Sequence, residues 1–284
     1  MIRYFLMMRS RSLLIMLLAM ICNTNVRAQA DTLSNFAEVK DAEIPKVLLG
    51  IQVSPVSSWL TTDDNTISDD GNNAGLRIGI LYEKPFSSNY SVAGSFSVAT
   101  NQGGTLLYEK GGNYLPQSNL SDPDLNTGDK PLPDNTRITY RVNYLEYIGG
   151  LRLKTNPIGK KRGWRVFADL PIFGAGISLK SSGDIDGQGI NAEDESIGKD
   201  LRNILLFWGA GAGVELELQN GMRLVGGIAY TQSITDITRD KGNKAFELLD
   251  DKGTSDPLDD EYRIQEDSSR AILKGLTFKI GVIF

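Results

Sequence analysis

Eight segments of the chain alternate in chemistry at every second residue, with the bulky apolar side chains all on one side. They lie at 46–59, 74–84, 90–100, 136–154, 163–179, 201–218, 222–235 and 269–284. In the sixth, Ile204, Leu206, Trp208, Ala210, Val214, Leu216 and Leu218 share one parity. Asn203, Gly209, Gly211, Gly213, Glu215 and Glu217 share the other. A period of two residues is that of a β-strand, and one face of each strand therefore meets an apolar medium. A soluble sandwich or lipocalin-like barrel uses the same alternation with the apolar face inward. Here the polar face is small or charged, the apolar face is large, and some segments run past fifteen residues. That combination favours bulky side chains on lipid and small polar ones in a narrow lumen. A lipid-facing sheet satisfies its backbone only by closing on itself.

The first thirty residues read as a secretory signal. Arg3, Arg9 and Arg11 precede nine apolar residues, Leu13 to Ile21, and Ala28-Gln29-Ala30 supplies a small-x-small cleavage pattern. Nine residues at about 1.5 Å each fall far short of a ~30 Å hydrocarbon core. Ile21 is too bulky to precede a lipidated Cys22. Cleavage after Ala30 leaves 254 residues without cysteine, carrying 26 basic and 35 acidic side chains. The expected organisation is a signal peptide at 1–30, an N-terminal periplasmic segment at 31–45 and a barrel at 46–284.

Connections between the segments alternate short and long. The short ones are 85–89, 155–162 and 219–221, the last containing Asn220-Gly221, which favours a tight hairpin. The long ones, 60–73, 101–135, 180–200 and 236–268, hold 26 acidic and 9 basic residues. By contrast 152–165 carries Arg152, Lys154, Lys160, Lys161, Arg162 and Arg165 with no acid. This is the pattern of an up-and-down barrel with periplasmic turns and acidic extracellular loops. Two phase breaks stand out. On 136–154, Ile138, Tyr140, Val142 and Tyr144 share a parity while Leu145, Tyr147, Leu151 and Leu153 take the other, predicting a bulge or a strand leaving the lipid zone at Tyr144–Leu145. Pro171 marks a further bulge or a strand end. Tyr82, Tyr90, Trp164, Tyr230 and Phe284 are candidates for interfacial girdles.

The chain ends Leu276-Thr277-Phe278-Lys279-Ile280-Gly281-Val282-Ile283-Phe284, an unbroken apolar face closing on an aromatic. It resembles the C-terminal signal of bacterial outer-membrane barrels. The stretch 208–237, WGAGAGVELELQNGMRLVGGIAYTQSITDI, resembles the penultimate hairpin of the PorT-like outer-membrane β-barrel family of Bacteroidetes. NYLEYIGGLRLK at 143–154 is similar to that family's fourth strand, with Gly149 and Gly150 where proline usually follows the isoleucine. The resemblance covers roughly 46–284. It implies a small eight-stranded barrel of OmpA/OmpX-like architecture without enzymatic activity, whose founding member is implicated in type IX protein secretion.

No histidine occurs in the 284 residues, which removes every mechanism needing an imidazole as base, shuttle or ligand. Glu215 and Glu217 face the expected lumen, with Arg77, Arg141, Arg223 and Lys279 as candidate partners for them and for Glu83. Paired lumen charges fill an eight-stranded interior barely wider than its side chains. Asp184, Asp186, Gly187 and Glu195 match the spacing of a calcium loop, and Asp122, Asp124 and Asn126 form a weaker relative. No catalytic, cofactor-binding or metal residue is assigned. The expectation is an all-β, eight-stranded antiparallel up-and-down transmembrane β-barrel, monomeric, in a Gram-negative outer membrane. It is non-enzymatic, needs no cofactor and meets outer-membrane lipid and an envelope protein rather than nucleic acid. The alternatives are a narrow small-solute pore and a lipid-binding or lipid-modifying barrel.

Overall fold

The computed structural model describes residues 47–121, 131–159, 163–218, 221–239, 243–250, 261–266 and 270–284. The export and N-terminal segments at 1–45, the Asp122–Asn126 cluster, Lys160 to Arg162 and Asn220 lie outside the described residues. The strands are β1 (Leu48–Thr62), β2 (Ile67–Pro85), β3 (Tyr90–Tyr108), β4 (Gly112–Asn113), β5 (Thr136–Lys154), β6 (Trp164–Gly187), β7 (Ile190–Glu195), β8 (Ile204–Glu217), β9 (Arg223–Ser233), β10 (Asn243–Asp250), β11 (Glu261–Glu266) and β12 (Ala271–Ile283).

Eight of them close a barrel in the order β5-β3-β2-β1-β12-β9-β8-β6, with β6 pairing back onto β5. Every pairing round the wall is antiparallel. A line of register partners leaves Lys274, passes Gln232, Trp208, Phe173, Gly149, Gly94, Tyr82 and Leu49, and returns to β12 at Phe284, ten residues further along. That stagger tilts eight strands by roughly 45°. A ten-residue stretch of strand at ~3.3 Å per residue, so tilted, rises about 23 Å, close to the ~25 Å apolar band of a membrane barrel. Both ends of the wall-forming chain, Leu48 and Phe284, lie at the end with the short connections.

The wall changes character along its axis. At the short-turn end the outward side chains are Ile51, Ile80, Phe96, Phe173 and Ile280, each more than half exposed. The inward ones there are polar and buried: Gln52, Ser54, Arg77, Glu83, Ser95, Glu146, Arg152, Asp169, Glu215 and Thr277. At the opposite end the sense reverses. Leu60, Ile67, Leu106, Tyr140, Ile185, Leu205, Ala229 and Leu273 pack inside as one core, so all eight wall strands contribute to it. Leu115 and Leu132, from the connection after β3, and Ile197, Leu201 and Ile237 complete it.

β5 shows the reversal on one strand. Its even positions point inward throughout, from Thr136 through Tyr144 to Lys154, so the side-chain parity never slips. The phase break at Tyr144–Leu145 is therefore the strand leaving the lipid zone. The register shifts beside it belong to its neighbours, which carry the extra residues Thr100–Asn101 on β3 and Leu179 on β6. Asn101 adopts a positive φ of 54°, as the bulge requires. Pro171 sits in the expected bulge, between Asp169 and Ile172. Having no N–H to contribute to the ladder, it is tolerated there.

The long connections are a correction to the sequence reading, which made loops of 60–73, 101–135, 180–200 and 236–268. β2 starts at Ile67, β3 continues to Tyr108 and β6 to Gly187, and β7, β10 and β11 are added. Alternation persists there with its sense reversed, because water replaces lipid outside and a core replaces polar groups inside. The first connection shrinks to a tight turn, where Asp64 Oδ1 accepts from the backbone N–H and hydroxyl of Thr66, both at 2.7 Å.

Candidate functional site

The inward face of the membrane half is one chain of ion pairs. Lys279 Nζ lies 3.1 Å from Asp169 Oδ2, and Arg152 grips Asp169 with two bonds, Nε to Oδ1 at 2.7 Å and Nη2 to Oδ2 at 2.9 Å. Arg152 Nη1 continues to Glu83 Oε2 at 3.3 Å, and Glu83 Oε1 to Lys154 Nζ at 2.5 Å. Lys154 then meets Glu215 Oε2 at 2.6 Å, and Glu215 Oε1 meets Arg223 Nη1 at 3.3 Å. The Arg152 guanidinium also stacks 4.0 Å from the Phe167 ring centroid. One level further from the turns, Arg77 donates from Nε to Glu146 Oε2 at 2.7 Å and from Nη1 to Thr277 Oγ1 at 2.8 Å, crossing the lumen from β2 to β5 and β12.

Parity puts these groups together. Each is the inward residue of its strand, and small inward neighbours such as Ser91, Ala93 and Ser95 leave the long side chains room to cross. A bidentate guanidinium–carboxylate pair has fixed planar geometry, so Arg152 and Asp169 hold β5 and β6 in register. The carboxylates take up the cations, and what the arrangement does chemically is tie the strands of the wall together across the lumen.

Of the partners expected from sequence, Arg223 meets Glu215 and Lys279 points inward. Arg77 pairs with Glu146 rather than Glu83 or Glu215. Arg141 sits on the outward face of β5 beyond the belt and pairs with Asp184. Glu217 is exposed at the rim. Glu146, Arg152, Lys154 and Asp169 were missed. On β5 the signal was parity carried through Tyr144, since Glu146, Arg152 and Lys154 share the positions of Ile138 and Tyr140.

The calcium-loop spacing resolves as a hairpin between β6 and β7. Asp184 and Asp186 point outward, while Glu195 is buried and accepts from the Ser121 backbone N–H at 2.7 Å. Strand geometry puts them on opposite faces, which separates the oxygens a calcium loop must gather. Among the described residues no three acidic or cysteine side chains converge as a metal site. On this outer half Asp70 and Arg137 pair, and Lys180 lies 3.5 Å from Asp194. A Ser182 hydrogen bond, with Lys180 alongside, holds the Asp194 carboxyl below the usual carboxylate range.

The aromatic residues divide between the two rims. Phe86, Tyr90, Trp164 and Phe284 are exposed at the turn end, while Trp59, Trp208 and Tyr230 lie toward the other. Tyr82 spends its hydroxyl within the belt, 2.7 Å from that of Tyr147. Its ring lies across Gly94, where a Cβ would fall 2.4 Å from the Tyr82 hydroxyl and 2.3 Å from the Ile148 carbonyl oxygen.

A closed eight-stranded sheet with an apolar belt outside and paired charges inside defines a transmembrane β-barrel. No family model and no curated protein matches the chain. Among solved structures it is similar to Neisserial surface protein A, at 10% identity over 84% of this chain and 95% of that one, with a TM-score of 0.33. It is also similar to Ail, the attachment invasion locus protein of Yersinia pestis, at 11% identity over 84% and 97%, TM-score 0.31. A third is the outer membrane protease OmpT of Escherichia coli, at 6% identity over 87% and 99%, TM-score 0.32.

Proposed function

We propose that the protein is a non-enzymatic outer-membrane barrel, exported by its 1–30 segment, that holds a rigid acidic headpiece off the membrane as an interaction surface of the cell envelope. The observation that carries this reading is the reversal at Tyr144–Leu145. Below it the wall is built for lipid, and above it the same strands enclose a water-type core and present charged residues outward. A transport path needs an open lumen, whereas here the buried charges of the lower half cross it and apolar side chains fill the upper half. The excess of acid in the outer stretches suits a basic partner surface. The resemblance to PorT-like barrels supports an accessory place beside a protein-secretion machine.

A photo-reactive residue placed at Asp69 or Gln188, both exposed on the headpiece, is expected to capture one defined envelope protein in intact outer membranes. The same residue at Ile80, on the belt, is expected to capture lipid only. A barrel recovered alone from the headpiece positions, or the same protein captured from Ile80, overturns the interaction role. Solubility without detergent overturns the membrane assignment itself.

A further inference from the structure

The cations of the outer half are not all treated alike. On the side where β2, β5 and β6 rise above the belt, Arg137 pairs with Asp70, Arg141 with Asp184 and Lys180 with Asp194. On the opposite side the wall stops near the top of the belt, at Ile204 of β8, Ser233 of β9 and Ala271 of β12. Just above those ends stand Arg202 and Arg270, both exposed, and among the described residues neither has a carboxylate within ion-pair distance. They line one groove with Ile234, Thr235, Asp236 and Ile272, Ile234 being 61% exposed, so two cations face one acid there.

Two carboxylates at the groove, Asp236 in its lining and Asp63 beside Arg270, accept backbone N–H groups. Asp236 Oδ1 accepts from the Ala271 N–H at 2.8 Å and Asp63 Oδ1 from the Arg270 N–H at 2.7 Å. Arg202 Nε donates to the Thr238 carbonyl oxygen at 3.1 Å, which steadies the exposed guanidinium. Two exposed guanidinium groups with no ion pair among the described residues, beside an exposed Ile234 and a half-buried Ile272, match a ligand with an anionic head and an apolar body. Guanidinium recognises phosphate through paired N–H donors. Arg202 stands two residues beyond the exposed Ile204, about 7 Å along an extended chain, so a headgroup phosphate above that side chain is within its reach.

We propose that this groove between β8, β9 and β12 binds the phosphate-bearing headgroup of an outer-leaflet lipid, with Arg202 and Arg270 on the phosphate and Ile234 and Ile272 against its acyl chains. The inference rests on the membrane reading above and adds a ligand class and a site to it.

The test uses the full chain in detergent micelles, titrated with diphosphorylated lipid A and with the same lipid dephosphorylated, bound lipid being counted by native mass spectrometry. The wild type is expected to retain one phosphorylated lipid in preference to the dephosphorylated form. Arg202→Gln with Arg270→Gln is expected to weaken that retention roughly tenfold. The control pair Arg137→Gln and Arg141→Gln leaves it unchanged, and heat-modifiable migration in gels confirms that each variant is folded. Millimolar inorganic phosphate is expected not to displace the lipid. Equal retention of both lipids, an unaltered double variant, or displacement by inorganic phosphate each overturns the site. A barrel that needs no detergent fails at the earlier reading instead, so the two failures are distinct.

Discussion

Arg152 concentrates the energetics of the lumen in one side chain. It is about 5% exposed, grips Asp169 twice, reaches Glu83 and covers Phe167. Removing one partner of a buried pair strands the other as an uncompensated charge, which costs about 3–5 kcal/mol. Arg152→Met leaves Asp169 with the single contact from Lys279 and Glu83 with Lys154, so it is expected to lower the free energy of urea unfolding in vesicles by up to that amount. Adding Asp169→Asn takes the acid away from Lys279 and is expected to deepen the loss. A double variant more stable than the single would show that Asp169, not Lys279, is the group left stranded. At this scale direction was legible and partnership was not. That Glu215 and Lys279 face inward follows from counting by two, but which cation meets which acid depends on the stagger of the wall. Lys279 meets Asp169 across 110 residues of sequence, and no local pattern encodes that pairing.

A single outward face of β2 passes through two media, and its substitutions should report them. Ile80 lies mid-belt, more than half exposed, and Asn72 lies on the same outward face beyond Leu76, where the wall emerges. Arginine on the lipid face near the midplane of a barrel costs about 2–4 kcal/mol. Ile80→Arg is expected to show that loss in vesicle refolding, while Asn72→Arg stays within about 0.5 kcal/mol of wild type, as exposed surface changes do. Equal losses at both positions would deny the boundary between them. The strand centres were readable because lipid imposes strict alternation, and β5 runs from Thr136 to Lys154 as its pattern predicts. The strand ends were not. Beyond the belt the alternation changes sign, and Asp69 and Gly71 read as loop although they are paired to β3 on either side of a bulge at Asp70. Bulges at Thr100–Asn101 and Leu179 then shift the parity of β3 and β6 themselves, so a count begun in the belt misassigns the residues above it.

For the molecule as a whole, the two halves fill the lumen by different means, and this sets what a water path would require. The lower barrier is electrostatic: Arg77 spans from β2 to Glu146 and Thr277, and the Arg152–Asp169 pair lies nearer the turns. The upper barrier is steric, since Leu60, Leu106, Tyr140, Leu205 and Leu273 come from five strands and meet in one core. Shortening Arg77 and Arg152 together to serine empties only the lower barrier, and the dry core above it still denies ions a continuous water path. Planar bilayers are therefore expected to stay silent with the wild type and with Arg77→Ser/Arg152→Ser. Steps are expected only when Leu60→Ser and Leu205→Ser are added, on protein shown by heat-modifiable migration to be folded. Conductance from the lower pair alone would mean that the outer core leaves a gap and that the charges are the only gate. Silence from the quadruple variant would put the steric block instead in the side chains contributed by the connections, Leu115, Leu132 and Ile197. The first outcome would return the molecule to the class of narrow pores. The second would make the acidic outer stretches the cover of the barrel as well as its display surface.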